Sequence, residues 1–301
     1  MTPIHPTPTP TDYFKLILIG AAWGSSFLAI KVIVEEVSPL MLVALRTWIG
    51  ALCVAGLLVT KPIVFPRTMA VWRRIVFIGL VGTGLPFFLI SWGETRVDSG
   101  LAAMAMSVGP VFAVLLSHIT AYDGRPLGGK LLGVFCGLTG VAILSFESLT
   151  QHNLGNLIAL LATLAAAICY VLGGESTRKI TGASAEFVTT ASLCIAAMMT
   201  TTLLFALESP DFESVTRQSW MLIIYLGAVS TGLALLIRFN LIKSAGLAFA
   251  SYVGYLVPSF GFIFGVLILS EALSAGRLLA LVFILLGLYL LQRQKKERST
   301  R

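Results

Sequence analysis

Arg46 is a charged residue in an otherwise apolar stretch of the sequence. It lies about seven residues inside a mostly apolar run from 39 to 60, which is roughly 10 Å along a helix that rises 1.5 Å per residue. A cation at this depth needs a partner or a water-filled cavity. In one interpretation its guanidinium binds the carboxylate of a ligand in bidentate fashion. In the other it has a structural partner, either helix-end carbonyls or an acid such as Glu94.

Aromatic and polar side chains also lie far from the ends of the apolar runs. An indole N–H or a tyrosine hydroxyl needs a hydrogen-bond partner when it is buried, so these residues favour the protein interior over lipid. For Trp23 the alternative is a lipid-facing or helix-packing position, and for the phenylalanines and the asparagine it is plain packing. The predicted cavity residues are Trp23, Ser26, Arg46, Phe87, Phe88, Tyr170, Asn240, Tyr252 and Tyr255. Such an aromatic cavity suits apolar zwitterions or flat cations.

No pattern typical of catalysis occurs in the sequence. A Walker A loop, a nucleophile elbow, an HExxH motif and paired interior carboxylates are all absent from it, which argues against an ATP-driven pump and an intramembrane hydrolase. The four cysteines lie in apolar runs without metal-ligand spacing, and the three histidines have no carboxylate or cysteine at such spacing. We therefore expect neither an enzyme nor a bound metal or cofactor.

Apolar residues dominate the composition. The 301 residues are 57% hydrophobic and 12% charged, with a mean hydropathy of +0.92, whereas about a quarter of the residues in a soluble domain are charged. An all-α integral membrane protein is predicted. A span needs roughly 17 to 25 mostly apolar residues, and ten segments meet that requirement. They are residues 14–34, 39–60, 72–93, 99–120, 128–146, 154–174, 186–207, 219–240, 246–269 and 275–292.

Lysine and arginine are distributed unevenly between the loops. With the N-terminus inside, fifteen of the 21 lie on the cytoplasmic side, three lie outside, and Lys31, Arg46 and Arg238 lie within spans. This asymmetry predicts that both termini are cytoplasmic. It also explains the net charge of +7 without a nucleic-acid partner.

Lys31 has Glu35 four residues later, so we expect it to extend to the outer interface with that partner.

Residues 99–130 resemble residues 245–277. Each copy begins with Gly-Leu-Ala, has a proline within its apolar run and has an acid thirteen residues later. The prolines, Pro110 and Pro258, are 148 positions apart, as are Thr83 and Thr231. Five spans per copy give the second copy the opposite orientation in the membrane. That architecture is typical of secondary transporters, whose substrate site lies where the repeats meet.

The repeat predicts a division of the chain into two halves. Residues 14–147 form the first five-helix repeat and residues 148–292 the second, inverted one, around a central cavity. A disordered cytoplasmic tail is predicted for residues 1–13, and a basic cytoplasmic tail for residues 293–301. Pro110 and Pro258 each remove a backbone hydrogen bond and are predicted hinges. The alternative is that they are fixed kinks that packing tolerates.

Several motifs together resemble the drug/metabolite transporter superfamily, in its ten-helix EamA-type branch. They are Ala22-Trp23-Gly24-Ser25-Ser26-Phe27 with Lys31, Pro39 followed by Arg46, and the repeated proline, acid and glycine of the two copies. The resemblance covers nearly the whole chain outside the tails. Asp123 stands where the family pattern more often has glutamate, while Glu271 fits it. The resemblance implies a central cavity between the halves and a rocking alternation of access. Within the superfamily the chain is similar to the aromatic and broad amino-acid exporters.

These features predict a secondary transporter of the inner (plasma) membrane that exports amino acids or similar small metabolites by alternating access. One alternative is an exporter of drug-like organic cations, which an interior acid would favour. Another is a passive channel, which would be expected to show a filter sequence or a ring of like residues. No acid lies near a span centre, which argues against obligatory proton coupling unless Glu94 lines a water-filled path. The expected partners are a small-molecule substrate and the lipid bilayer. We expect a monomer, with a dimer as the alternative.

Overall fold

Helices are the only regular elements in the part of the chain that the structure describes. The structure is a computed structural model, and it describes residues 8–58, 63–106, 108–109, 111–112, 131–151, 154–250, 252–272 and 274–297. In chain order the α-helices are α1 (Pro10–Ile33), α2 (Pro39–Leu58), α3 (Met69–Gly79), α4 (Leu85–Glu94), α5 (Ser99–Met106), α6 (Leu131–Gln151), α7 (Leu154–Arg178), α8 (Ala185–Leu207), α9 (Arg217–Tyr225), α10 (Ala234–Ala250), α11 (Val253–Leu269) and α12 (Ala275–Glu297). Two π-helical segments, π1 (Leu80–Gly84) and π2 (Leu226–Leu233), join α3 to α4 and α9 to α10.

Six helical stretches among the described residues are long and apolar enough to cross a membrane. They are Pro10–Ile33, Pro39–Leu58, Met69–Glu94, Leu154–Thr177, Ala185–Leu207 and Arg217–Arg238. Shorter apolar helices occur at Leu131–Leu144, Leu256–Leu269 and Ala275–Gly287, within the predicted fifth, ninth and tenth spans. The predicted fourth span begins as α5, and most of its remainder lies outside the described residues. The protein therefore has several membrane-spanning helices, and the count of ten stays a prediction.

The two helices at the ends of the chain extend into the predicted tails. The helix α1 begins at Pro10, within the segment predicted to be disordered, because Thr9 and Asp12 form a reciprocal capping box. The side chain of Ser244 donates a 2.6 Å hydrogen bond to Asp12 Oδ1, which anchors this first turn to α10. At the other end, α12 continues to Glu297, past the boundary predicted at residue 293.

Helices from the first part of the chain, α1 to α6, pack mainly on helices from the second part, α7 to α12. The main pairs are α1 with α11, α2 with α8, α4 with α7, and α6 with α12. The π2 segment packs on α2, and π1 packs on α7. The largest cluster of buried apolar side chains includes residues from most of these helices. Arg46 on α2 therefore lies among helices from both parts of the chain.

Two glycines allow π1 and α7 to cross at backbone contact. A Cβ atom placed on Gly173 would lie 2.6 Å from the Cα atom of Gly82, and one on Gly82 would lie 3.0 Å from the Cα atom of Gly173. Real Cβ atoms do not approach a backbone atom so closely, and close approach of helices in membranes depends on such small residues. The crossing brings π1 close to α7, which carries Tyr170. Since π1 leads directly into α4, it also positions Phe87 on α4.

Replacement of Gly173 by alanine should destabilise the protein. The added methyl group forces π1 and α7 apart, and overpacking of this kind costs about 1–3 kcal/mol. Gly174 is the matched control, because a Cβ atom there meets nothing within 4 Å. In thermal unfolding of the purified protein in detergent, Gly173→Ala should lower the midpoint and Gly174→Ala should not. Equal midpoints for the two variants would contradict the role of the crossing.

Candidate functional site

The π2 segment presents backbone carbonyls to side chains of neighbouring helices. A π-helical turn interrupts the regular hydrogen-bond pattern of an α-helix, and such turns are frequent at functional sites. Trp23 on α1 donates its indole N–H to the carbonyl of Ser230 at 2.9 Å, and Cys53 Sγ on α2 contacts the carbonyl of Ala228 at 3.8 Å. The hydroxyl of Ser230 in turn donates to the carbonyl of Ala22 at 2.9 Å. These contacts hold π2 against α1 and α2.

Arg46 lies buried beside π2. Its side chain is only 4% exposed, and its Nη2 donates to Thr231 Oγ1 at 3.2 Å. The guanidinium carbon lies 4.0 Å from the centre of the Phe87 ring. Phe87 packs edge-to-face with Tyr170, with 6.3 Å between ring centres. The structure thus brings three of the predicted cavity residues, Arg46, Phe87 and Tyr170, into one cluster with Thr231, which we call the Arg46 cluster.

Within the described residues, Arg46 has neither of the structural partners considered from the sequence. Its Nε atom has no hydrogen-bond partner there, and its guanidinium forms no ion pair with Glu94, although the two charges interact at longer range. Attraction between the guanidinium and the face of Phe87 offsets part of the cost of burying the cation. The guanidinium therefore retains donors that can bind a further group.

Lys31 has a different partner from the one expected. Its ammonium group donates to the backbone carbonyls of Glu94 at 2.9 Å and Val97 at 3.1 Å. The expected pairing with Glu35 is wrong, because the ammonium group bonds instead to carbonyls at the C-terminal end of α4, and extension to the outer interface stays a prediction. A cation at a helix C-terminus is favoured by the helix dipole and by the unpaired carbonyls there. Lys31 thus fixes the end of α4 against α1.

Ser91 and Glu94 on α4 are buried polar residues close to the Arg46 cluster. Both side chains are 0% exposed. The predicted cavity residues do not include Ser91, and the sequence indicates Glu94 only as a partner for Arg46 or as part of a water path. The signal was present in the sequence, since positions 87, 91 and 94 are spaced i, i+4 and i+7 and share one helix face.

The hydroxyl groups beside Trp23 have local and long-range partners. Ser26, a predicted cavity residue, donates to the carbonyl of Trp23 at 2.6 Å and so remains bonded within α1. The neighbouring Ser25, which was not among the predicted residues, lies 2.6 Å from the hydroxyl of Tyr225. Tyr225 is the last residue of α9, so this contact joins the end of α9 to α1.

The remaining predicted residues have varied surroundings. Phe88 is half-buried and packs on the main core. Asn240 is exposed, and Tyr252, which is 41% exposed, packs edge-to-face on Phe249. Pro258 lies inside α11 and is buried. Pro110 and the side chain of Tyr255 lie outside the described part of the structure.

A second group of polar contacts joins α5 to the segment between α11 and α12. Glu271 accepts hydrogen bonds from the backbone N–H of Ser99 at 2.7 Å, from the Ser99 hydroxyl at 2.6 Å and from the N–H of Gly100 at 3.0 Å. A carboxylate in this position caps the N-terminus of α5. Arg277 forms an ion pair with Asp98 at 2.6 Å. We call these contacts the Glu271–Arg277 closure.

An open pocket of about 460 Å³ lies between α3 and α7. Its walls include Arg73, Arg74, Glu175 and Lys179, and Lys179 pairs with Glu175 at 3.1 Å. None of the predicted cavity residues lines it. Phe77 and Leu172 also line the pocket, and they lie close in sequence to the crossing of Gly82 with Gly173.

Known proteins resemble this chain over most of its length. The sequence matches the EamA-like transporter family over residues 12–146 and 153–293. Protein PagO of Salmonella typhimurium is 26% identical over 280 residues, which cover 91% of this chain and 90% of that protein. A probable amino-acid metabolite efflux pump of Escherichia coli is 25% identical over 300 residues, covering 93% and 94%.

A solved structure shares the fold of this chain. It superposes with a TM-score of 0.68 at 18% sequence identity and covers 93% of this chain and 96% of the other. The family match extends over both parts of the chain, and a buried arginine that faces an aromatic ring lies between helices of the two parts. The protein is a membrane transporter rather than an enzyme, and it belongs to the EamA-like transporter family.

Proposed function

We propose that this protein exports amino acids or similar small metabolites as a secondary transporter of the inner (plasma) membrane. The Arg46 cluster carries the proposal, because a buried guanidinium with unused donors beside aromatic rings suits a small carboxylate with an apolar side chain. The relative named as a probable amino-acid metabolite efflux pump supports the same substrate class. The lining would be Arg46, Phe87 and Tyr170, with Trp23 at its edge.

We further propose that residues 14–147 and 148–292 are inverted five-helix repeats with cytoplasmic termini. The two π segments support this arrangement, because each includes the threonine of a repeated Thr-Gly-Leu sequence, Thr83 in π1 and Thr231 in π2. The pairing of helices supports it as well. The helix α2, which is the predicted second span, packs on α8, the seventh. The helix α6, the fifth span, packs on α12, the tenth. A two-fold axis between the repeats exchanges the second span with the seventh and the fifth with the tenth, so it maps each of these pairs onto itself.

Transport by alternating access requires that the two ends of the bundle open in turn. With the predicted orientation, the Glu271–Arg277 closure lies at the outer end. The pocket beside Arg73 and Arg74 lies at the cytoplasmic end. The closure contacts would then hold the outer side shut while the cytoplasmic side is accessible, and they would break when the transporter opens outward.

An exporter of organic cations is the second candidate. Buried Glu94 favours it, since an interior acid is the feature that a cation exporter needs and no other acid lies near a predicted span centre. Arg46 argues against it, because a buried guanidinium close to the same space repels a cation. A passive channel has no specific support among the described residues.

Transport by the purified protein in liposomes tests the proposal. The assay would compare labelled amino acids, purines, sugars and quaternary cations, with and without a proton gradient. We expect saturable movement of at least one amino acid and none of the quaternary cations. Movement of the cations alone would establish the second candidate instead. Non-saturable flux of all the small solutes would indicate a channel.

Replacement of Trp23 by phenylalanine should slow transport. The variant keeps an aromatic ring but loses the hydrogen bond to the carbonyl of Ser230 in π2. Loss of one such hydrogen bond corresponds to roughly a two- to tenfold decrease in the transport rate. Trp48 is the matched control, because its indole N–H donates to Thr201 Oγ1 at 3.0 Å on an exposed surface. Trp23→Phe should reduce the initial rate of amino-acid transport, whereas Trp48→Phe should not. Full activity in both variants would remove Trp23 from the site.

A further inference from the structure

Three buried side chains on α2 and α4 have polar atoms without a hydrogen-bond partner among the described residues. The atoms are Nε of Arg46, Oγ of Ser91 and both carboxylate oxygens of Glu94. Arg46 is 4% exposed, and the other two residues are 0% exposed. Buried polar groups in proteins are almost always paired, so each exception needs an explanation. Here the exceptions lie on two helices that pack on each other, and they include a guanidinium and a carboxyl group.

Ser91 and Glu94 share a helix face with the aromatic ring that contacts Arg46. Phe87, Ser91 and Glu94 lie on one face of α4, and Phe87 is the ring over which the Arg46 guanidinium lies, at 4.0 Å. Side chains on a helix lean toward its N-terminus. The Glu94 carboxylate therefore leans back over the turn that includes Ser91, toward the guanidinium. The long-range interaction between the charges of Glu94 and Arg46 agrees with this placement.

Two of the three charged groups near Glu94 are already bound elsewhere. Lys31, Glu271 and Arg46 are the charged groups whose fields act on it. The Lys31 ammonium donates to the backbone carbonyls of Glu94 and Val97, and the Glu271 carboxylate accepts from Ser99 and Gly100. On the neighbouring helices, Tyr170 of α7 is the other titratable group of the Arg46 cluster. An isolated buried charge is costly unless it is paired, and neither Arg46 nor Glu94 pairs with the other.

We propose that Arg46 binds the carboxylate of the substrate, that Glu94 and the Ser91 hydroxyl bind its ammonium group, and that the substrate class is therefore the zwitterionic α-amino acids. An α-amino acid carries both charges on substituents of one carbon atom, so it supplies both missing partners at once. Phe87 and Tyr170 then flank its side chain. This inference rests on the proposed function and narrows it, since a carboxylate or an amine alone satisfies only one of the two charges.

A neutral, protonated Glu94 that carries protons is the rival explanation. A neutral carboxyl group is also tolerated in a buried site without a charged partner. That role concerns the proton gradient and gives no preference for an ammonium group on the substrate. The two explanations therefore differ in substrate selectivity, which transport measurements resolve.

The test compares matched substrates in proteoliposomes. L-phenylalanine, or the amino acid that the wild type moves fastest, is compared with its α-hydroxy acid, which lacks the ammonium group, and with its amine, which lacks the carboxylate. Loss of one hydrogen bond between charged groups corresponds to about tenfold or more in apparent affinity. The wild type should therefore bind each analogue about tenfold or more weakly than the amino acid, measured by inhibition of transport.

The variant Glu94→Gln should remove the preference for the ammonium group. We expect the apparent affinity for the amino acid to fall about tenfold or more, with a change below about twofold for the hydroxy acid. Glu213→Gln, at an exposed position, is the matched control and should leave both unchanged. The elution volume and the melting temperature of each variant in detergent establish that it is folded. The comparison of analogues in the wild type requires no variant, so the inference stays testable if Glu94→Gln does not fold.

Three results would overturn the inference, and they have different meanings. Equal inhibition of the wild type by the amino acid and its hydroxy acid would remove the ammonium site but leave amino-acid export intact. A folded Glu94→Gln protein that keeps the preference but no longer responds to a proton gradient would identify Glu94 as a proton carrier. A wild type that moves another small metabolite but no amino acid would overturn this inference alone, whereas one that moves neither would refute the proposed function as well.

Discussion

Replacement of Arg46 by lysine should lower amino-acid transport about 100-fold. Lysine keeps the charge but cannot form the paired hydrogen bonds that a guanidinium makes with a carboxylate. Loss of one charge-assisted hydrogen bond and of the fixed orientation over the Phe87 ring removes about 3 kcal/mol of the free energy of substrate binding. Each 1.36 kcal/mol corresponds to a factor of ten in the transport rate at low substrate concentration. The measurement is the initial rate of uptake into proteoliposomes at a substrate concentration well below half-saturation.

Arg96 provides the matched control for this substitution. Its guanidinium carbon also lies over an aromatic ring, 4.7 Å from the centre of Trp92, but the residue is exposed. Arg96→Lys should therefore leave the transport rate unchanged. A folded Arg46→Lys protein that transports at the wild-type rate would show that Arg46 is purely structural. An equal loss for the amine analogue, which has no carboxylate, would also exclude a carboxylate clamp.

A covalent tether across the Glu271–Arg277 closure should stop transport completely. Asp98 and Arg277 lie on opposite sides of the closure and are joined by an ion pair at 2.6 Å. Cysteines at these two positions, joined by a short bifunctional methanethiosulfonate reagent, would hold the same ends together until the cross-link is reduced. If the outer side must open during each cycle, uptake should fall to the level of empty liposomes. Reduction of the cross-link should restore it.

The two single-cysteine variants, treated with the same reagent, are the controls for this experiment. The native cysteines, Cys53, Cys136, Cys169 and Cys194, are free thiols. The same controls therefore show whether a reaction of the reagent with a native cysteine affects transport. The rate of the double variant before cross-linking is the reference value. Transport that continues unchanged after complete cross-linking would show that these two segments stay together through the cycle, and the assignment of the closure as an outer gate would then be wrong.

Local sequence signals predicted the positions of several helices well. The second span was expected from residue 39 and begins at Pro39, and the sixth was expected from residue 154 and begins at Leu154. These starts follow polar residues that interrupt the apolar runs in the sequence, and hydropathy depends only on nearby residues. The start of the first span was placed too late, because the capping box of Thr9 and Asp12 extends the helix into a segment rich in threonine and proline.

Part of the candidate site was also predictable from the sequence. Arg46 and Trp23 were recognised because charged and indole side chains are uncommon in the middle of an apolar run. Ser91 was missed, and Glu94 was considered only as an ion-pair partner or part of a water path. The reason is that Glu94 occurs at the end of an apolar run, where an acid is usually solvated. Its complete burial depends on the helices that surround it.

The sequence by itself determined that this protein is a multi-pass membrane transporter of the EamA type with a buried arginine. Those conclusions depend on composition, on hydropathy and on short motifs, all of which are local properties of the chain. Only the tertiary structure decided what Arg46 contacts. Its partner Thr231 is 185 residues away in the chain, and Glu271 reaches Ser99 across 172 residues. Such contacts depend on how each helix is rotated and paired within the bundle, which no local pattern specifies.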